Sequence, residues 1–382
     1  NLYYLRDGDL NIWLAEGAHV DSIPLPDESA NAGIEEYRIS MGNQSIFYVT
    51  KGGALYRFDR AEWSNTRLPT TGRLLHNGRT FFEITPDGSR LIYLAWGVQP
   101  TAEHRQVSLN SAGTLLMMDL ADPRRRQVEL GFCRGDEATP CGGFTLAPDG
   151  KHLMLRDIEG FHLIRFDGES PVQTGAVLSP WSEGMEEILG WSPDGRWFVL
   201  ERHMSTGARL TLLDVTSPEL VVSYLPLCPS DCGIEVDWLG TELWAAVHQE
   251  EDGCLVRQSM DALNPADLEK VTCAAPALDL RPSDVIGLEE NTVAFLHSGS
   301  ASLAPGVYKY RLDTGSLDPI ALLAKGRGRM IWSEDGSAFL VFDVNNDPHI
   351  LGWIDQGVLL DVKARLRGAT QVRWEEEGEP IP

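Results

Sequence analysis

Four stretches of the chain carry one phrase: a short apolar strand, a tight turn ending in Asp-Gly, and a second apolar strand. Trp191-Ser192-Pro193-Asp194-Gly195 runs into Trp197-Phe198-Val199-Leu200. Thr85-Pro86-Asp87-Gly88 runs into Leu91-Ile92-Tyr93-Leu94, and Ala147-Pro148-Asp149-Gly150 into Leu153-Met154-Leu155. Ser333-Glu334-Asp335-Gly336 leads into Phe339-Leu340-Val341-Phe342. The proline presets φ, the aspartate bonds its own backbone, and the glycine supplies a positive φ. The residues that follow are aromatic or branched, as strands require. A strand-turn-strand phrase that recurs along the chain is the signature of a repeat array.

First strands of the repeat are expected to start near residues 37, 81, 143, 188, 234, 284, 329 and 371. A second and a third strand follow most of them, the third often closing on Asp, and then a weaker fourth. Four strands per unit is the blade of a β-propeller. The last first strand, Gln371-Val372-Arg373-Trp374, has no partners after it. Residues 2–25 read as strands two to four with no first strand before them. The two ends therefore share one blade, which closes the ring and hides its open edges. The expectation is an all-β chain, residues 1–382 forming a single β-propeller domain of eight four-stranded antiparallel blades. Seven is the alternative count, because the unit starting at Ile234 lacks the Pro-Asp-Gly turn.

The Trp191-Ser192-Pro193-Asp194-Gly195 phrase with its apolar strand resembles the repeat of TolB-type, WD-like propellers. It is similar also to the propeller domains of prolyl-oligopeptidase-like proteins. The likeness covers nearly the whole chain and implies fold. It is nearly silent on activity, since propellers host many unrelated functions. Met41-Gly42-Asn43-Gln44, Leu239-Gly240-Thr241 and Glu289-Glu290-Asn291 depart from the phrase where its turns should fall.

The formal charge of −24 argues against sequence-independent nucleic-acid binding and against docking on anionic lipid. No apolar run is long enough to span a membrane. The chain starts at Asn1, almost directly in a strand, so a signal or lipid anchor is expected to have preceded it. Six cysteines fit three disulfides and an extracytoplasmic setting: secreted, periplasmic or cell-surface.

In a propeller, the loops between strands two and three share a face with the links between blades. Here that face holds the longer loops and, on or next to it, all six cysteines. The expected pairs are Cys133–Cys141, Cys228–Cys232 and Cys254–Cys273, each pinning loops with little core of their own. A zinc site of Cys228, Cys232, Cys254 and Cys273 is the rival reading, though the usual Cys-x2-Cys spacing is missing. Second strands end on the same face, and candidates for binding gather there: Trp96, His104, Asp157, Arg202, His203, His248, His297 and Asp343. The plain alternative is that strand ends are polar wherever chain meets water.

Other motifs are weaker. Asp343-Val344-Asn345-Asn346-Asp347 opens like a calcium loop, but Pro348 and Ile354 stand where that loop needs Gly and Glu, so a polar turn is expected. Arg134-Gly135-Asp136 and the sequon at Asn43 are short matches that chance supplies, and Trp181, in a link on the face with the longer loops, is expected to pack in the core, with an exposed binding aromatic as the alternative. The chain has no Gly-x-Ser-x-Gly elbow, no His-Glu-x-x-His and no phosphate-binding glycine loop. No cofactor, metal or catalytic residue is assigned. The leading expectation is a non-catalytic extracytoplasmic scaffold or accessory subunit with protein partners. The alternatives are a propeller hydrolase or lyase, or a small-ligand sensor with a pocket at the ring's mouth.

Overall fold

The computed structural model describes residues 2–14, 19–26, 33–40, 44–74, 80–97, 113–124, 127–135, 141–166, 171–178, 184–204, 207–217, 222–226, 233–239, 241–249, 252–260, 282–289, 291–300, 302–323, 328–333, 336–343, 345–354 and 358–374. The fold is an all-β propeller of eight antiparallel blades. The chain packs as two compact units, Asn1–Pro180 with Thr370–Pro382, and Trp181–Ala369.

The first unit opens with β1 (Leu2–Arg6), β2 (Asp9–Leu14) and β3 (His19–Ser22). The next blade is β4 (Ile34–Ile39), β5 (Ser45–Thr50), β6 (Leu55–Asp59) and β7 (Ser64–Arg67). Then come β8 (Phe82–Ile84), β9 (Arg90–Trp96), β10 (Gly113–Asp119) and β11 (Val128–Cys133), followed by β12 (Gly143–Leu146), β13 (His152–Asp157), β14 (Gly160–Arg165) and β15 (Val172–Leu178).

The second unit begins with β16 (Gly184–Trp191), β17 (Trp197–Met204), β18 (Gly207–Asp214) and β19 (Val222–Pro226). Three strands are described in the next blade: β20 (Gly233–Leu239), β21 (Glu242–Gln249) and β22 (Asp252–Ser259). It is followed by β23 (Pro282–Glu289), β24 (Thr292–His297), β25 (Gly306–Arg311) and β26 (Ser316–Leu322). The last complete blade is β27 (Met330–Trp332), β28 (Ala338–Phe342), β29 (Pro348–Trp353) and β30 (Val358–Asp361). A single helical turn, α1 (Lys363–Leu366), precedes β31 (Thr370–Trp374).

The strand β31 pairs with β1, so the N-terminal blade takes its first strand from the C-terminal end, in the order β3-β2-β1-β31. The Tyr37 hydroxyl fixes that junction by donating to the carbonyls of Tyr3 (3.0 Å) and Gln371 (2.5 Å). The repeated turn is built the same way each time. Gly88 N donates to the Thr85 carbonyl, Gly195 N to Ser192, and Gly336 N to Ser333, at 2.8–2.9 Å. Asp87 and Asp194 each accept from the hydroxyl two residues earlier, Thr85 and Ser192, at 2.5 Å. In the departing turn at Glu289-Glu290-Asn291, Asn291 takes the positive φ, at 65°, that glycine takes elsewhere.

The second strands β5, β24 and β28 are buried along their whole length. They sit inside their sheets and are buried on both faces, which is why they read as unbroken apolar runs rather than alternations. Each core cluster joins successive blades. Phe47, Val49 and Leu55 pack with Phe82, Tyr93 and Met118 in the first unit. Val199, Leu210 and Leu212 pack with Ile234, Leu243 and Ala245 in the second. Edge strands are wetter, and β26 carries Pro319, which cannot donate to a further strand.

Candidate functional site

The strand ends that the sequence marks for binding have local roles. Trp96 is buried at the end of β9 and packs in one cluster with Cys133 and Cys141. Asp157 is buried at the end of β13. It faces His162 Nε2 at 2.8 Å, accepts Glu159 N at 2.8 Å and Arg134 N at 3.3 Å, and so closes its hairpin and holds the loop after β11. Burial opposes a charge on His162, but the hydrogen bond and charge of Asp157 outweigh it and raise the imidazole pKa.

His297 is fully buried, its ring edge-on to Tyr308 with centroids 5.8 Å apart. Asp343 closes a polar turn, as expected. Its Oδ1 accepts Asn345 N (2.9 Å) and Asp347 N (3.1 Å), while its Oδ2 accepts Lys363 Nζ at 2.8 Å. The lysine hydrogen bond, with the Asp347 and Asn345 amides, holds this carboxyl down at about 2.

Cys133–Cys141 forms as expected, with Cα atoms 5.7 Å apart. His104, Trp181, Asn43, Asp136, Cys228, Cys232 and Cys273 lie outside the described residues, as do the side chains of His248 and Cys254.

Arg202 and His203 lie on β17, and beside them is a feature the sequence reading missed. Carboxylates run across the first strands of three successive blades: Glu187 on β16, Glu235 and Asp237 on β20, and Asp284 on β23. Glu201 of β17 stands directly opposite Glu187 in the ladder. Glu235 accepts the Asp284 backbone N–H of the next blade, and Asp237 accepts Gly287 N at 2.9 Å. Asp284 in turn accepts Met330 N at 3.0 Å, and its carbonyl takes the Trp332 indole N–H at 2.6 Å. Acidic side chains thus stitch β20 to the backbone of β23, and β23 to that of β27.

Glu201 is 3% exposed. Its Oε1 lies 3.1 Å from His203 Nε2 but has no aligned hydrogen-bond donor. Burial, then the charges of Glu187 and Glu235, push its pKa up to about 7, against one backbone hydrogen bond from Ile234. Burial likewise raises Asp237. Burial and the Glu235 charge raise Asp284. His203 lies within ion-pair distance of Glu201, Arg329 acts on Asp284 through space, and among the described residues no three His, Cys, Asp or Glu side chains are placed to share a metal ion. The signal in the sequence is Ile234-Glu235-Val236-Asp237-Trp238, acids alternating with apolar residues on a first strand.

The first unit handles the same position differently. Arg38 on β4 donates from Nε to Glu83 on β8 at 3.2 Å and from Nη1 to Glu36. Arg373 on β31 reaches Glu36 at 3.3 Å. There the first-strand acids Glu36 and Glu83 have cations of the chain's own.

No protein-family model and no curated protein matches the sequence. Solved structures do. The chain superposes on a prolyl endopeptidase with TM-score 0.50 and 14% identity, 90% of this chain against 54% of that one, so it spans about half that enzyme's length. A functionally unknown protein from Desulfotomaculum acetoxidans matches with TM-score 0.50 and 10% identity over 97% of this chain and 98% of its own. TolB from Acinetobacter baumannii matches with TM-score 0.39 and 17% identity over 68% and 61%. At these identities the likeness is one of fold: the chain is similar to the β-propellers its repeat phrase resembles.

Proposed function

We propose that residues 1–382 work as one propeller domain serving as a non-catalytic interaction scaffold, an accessory subunit of a cell-envelope or extracellular assembly. The propeller fold is compatible with a scaffold role. The observation that carries the reading is the bracing of Arg134, just after β11. The Cys133–Cys141 disulfide anchors the residue before it, and Asp157 and the Ile158 amide tie Arg134 to the neighbouring hairpin. Arg134 also pairs with Glu159, both side chains facing solvent. Arg134 and Glu159, held this way, meet a partner at little ordering cost. A disulfide also persists best in an oxidising compartment.

The test is co-purification from native envelope and secreted fractions, followed by mass spectrometry without reductant. A stoichiometric partner supports the scaffold. A lone monomer, stabilised instead by a small ligand, contradicts it and favours a sensor.

A further inference from the structure

We infer that a groove beside β10, in the first unit, binds a small organic oxyanion: a carboxylate or phosphate monoester carried on an apolar body. The inference goes beyond the scaffold reading and does not rest on it. The groove has a volume of about 460 Å³, within the range of small-molecule sites. Its lining comes from three places: Pro69, Thr70 and Thr71 after β7, Leu116 on β10, and Pro123, Arg124 and Gln127 between β10 and β11.

The first argument is that the groove is already built. Leu68 and Leu74 bracket the segment after β7 and are buried in the same cluster as Tyr93 and Leu116. Between them, the Tyr93 hydroxyl accepts Thr71 N at 3.0 Å and donates to Gln127 Oε1, and Gln127 Nε2 donates to the Pro69 carbonyl at 2.7 Å. One hydrogen-bonded chain thus ties the segment after β7 to the one before β11. Asp119 accepts Ala121 N at 2.9 Å, which caps the turn leading to Arg124, and Pro123 fixes its own φ. A site ordered in advance loses little conformational entropy when its ligand arrives.

The second argument is charge. The chain carries a formal charge of −24, yet Arg124 opens a run of three arginines, Arg124-Arg125-Arg126. No Asp or Glu is among the described residues that line the groove. Arg124 is exposed, and among the described residues its guanidinium has neither an acid within ion-pair distance nor a hydrogen-bond acceptor. The Thr70 hydroxyl is likewise unpartnered among them. Elsewhere the chain meets arginines with acids of its own, as in Arg196 with Asp214 at 2.7 Å and Arg257 with Glu242. Arg124 is left for an anion from outside.

The third argument is fit. A guanidinium fork matches two oxygens of a carboxylate or phosphate, and the Thr70 hydroxyl adds a further donor. Pro69, Leu116 and Pro123 supply apolar surface for the carbon skeleton. A mostly apolar lining with a few polar groups is the usual make-up of a small-molecule site.

The probes are para-fluorobenzoate and para-fluorophenyl phosphate, titrated by fluorine NMR at pH 8, with para-fluorobenzyl alcohol as the neutral control. Both anions are expected to bind the wild-type chain saturably, and the alcohol is not. Arg124→Gln is expected to weaken the anions at least about fivefold, because the charge-assisted hydrogen bonds are lost. Thr70→Val is expected to weaken them about threefold. Arg311→Gln removes an exposed cation elsewhere and is expected to stay within about twofold. Arg124 lies at the surface, so its variant is expected to melt with wild type, which keeps the comparison sound. The tighter of the two anions identifies the group the site prefers, and either preference supports it. Equal losses in Arg124→Gln and Arg311→Gln would mean diffuse attraction and would overturn the site. Equal binding of the alcohol, or no saturable binding of either anion, would overturn it as well.

Discussion

The first strands of the two units solve one electrostatic problem in opposite ways. Around β4, β8 and β31, acids are matched by Arg38 and Arg373, two cations from the same chain. Around β16, β20 and β23, acids accept backbone N–H groups, with His203 3.1 Å from Glu201 and Arg329 acting on Asp284 through space, and their charges also fall on one another. Amide donors satisfy hydrogen-bond geometry without cancelling charge. The protons follow: Glu201 and Asp284 hold theirs far above the ordinary carboxylate range. The first arrangement is complete in itself. In the second, protonation relieves the charge that the acids place on one another.

The contrast breaks hardest at Arg38. Arg38→Ala leaves Glu83 without its cation and Glu36 with Arg373 alone, and the expected loss is about 2 kcal/mol, read by denaturant unfolding. A loss below about 1 kcal/mol would mean that the acids of the first unit do not depend on it. Opening the disulfide as Cys133→Ser/Cys141→Ser is expected to cost roughly 2.5 kcal/mol from loop entropy, with the loop after β11 becoming sensitive to protease first.

The second unit predicts a change of the opposite sign. Glu201 has a raised folded pKa, so between its unfolded value and about 7 the native state binds the extra proton. Stability therefore falls as pH rises through that window and levels off above it. Asp237 and Asp284 act in the same direction. Glu201→Gln should flatten the profile and gain about 2 kcal/mol at pH 8, seen as a higher melting temperature. A variant less stable than wild type at pH 8 would show that the charge is compensated after all.

The smallest effects separate the turns of the two units. Gly88 and Gly336 both sit at φ 68°. A Cβ on Gly88 meets nothing within 4 Å, whereas one on Gly336 would lie 2.8 Å from Leu288 Cδ2. Gly88→Ala is expected to cost about 1 kcal/mol for backbone strain, and Gly336→Ala more, since Leu288 must also move. Equal costs would mean that Leu288 yields freely.

Much of the fold is legible in the residues. The Pro-Asp-Gly turns, the buried second strands, the blade made from both chain ends and the Cys133–Cys141 link follow from local pattern and spacing. The polar strand ends are harder, because a polar residue at a strand end reads the same whether it meets solvent or caps a turn. Asp157 caps its hairpin through contacts with His162 and Arg134, and only the three-dimensional hairpin shows it. The carboxylate row is harder still. Glu235 meets the backbone of Asp284, 49 residues on, and Arg38 meets Glu83, 45 residues on. Alternation marks these acids as pointing away from one apolar face. It says nothing of which backbone or cation the next blade sets against them.

The central claim is that burial and the neighbouring acids Glu187 and Glu235 hold the Glu201 carboxyl above its ordinary range, and carboxyl NMR of Glu201 tests it most directly, with the resonance assigned by its loss in Glu201→Gln. The account predicts a titration midpoint near 7 that moves down when Glu187 and Glu235 are replaced by Gln. A midpoint in the ordinary glutamate range, about 4.3, unmoved by those replacements, would contradict it.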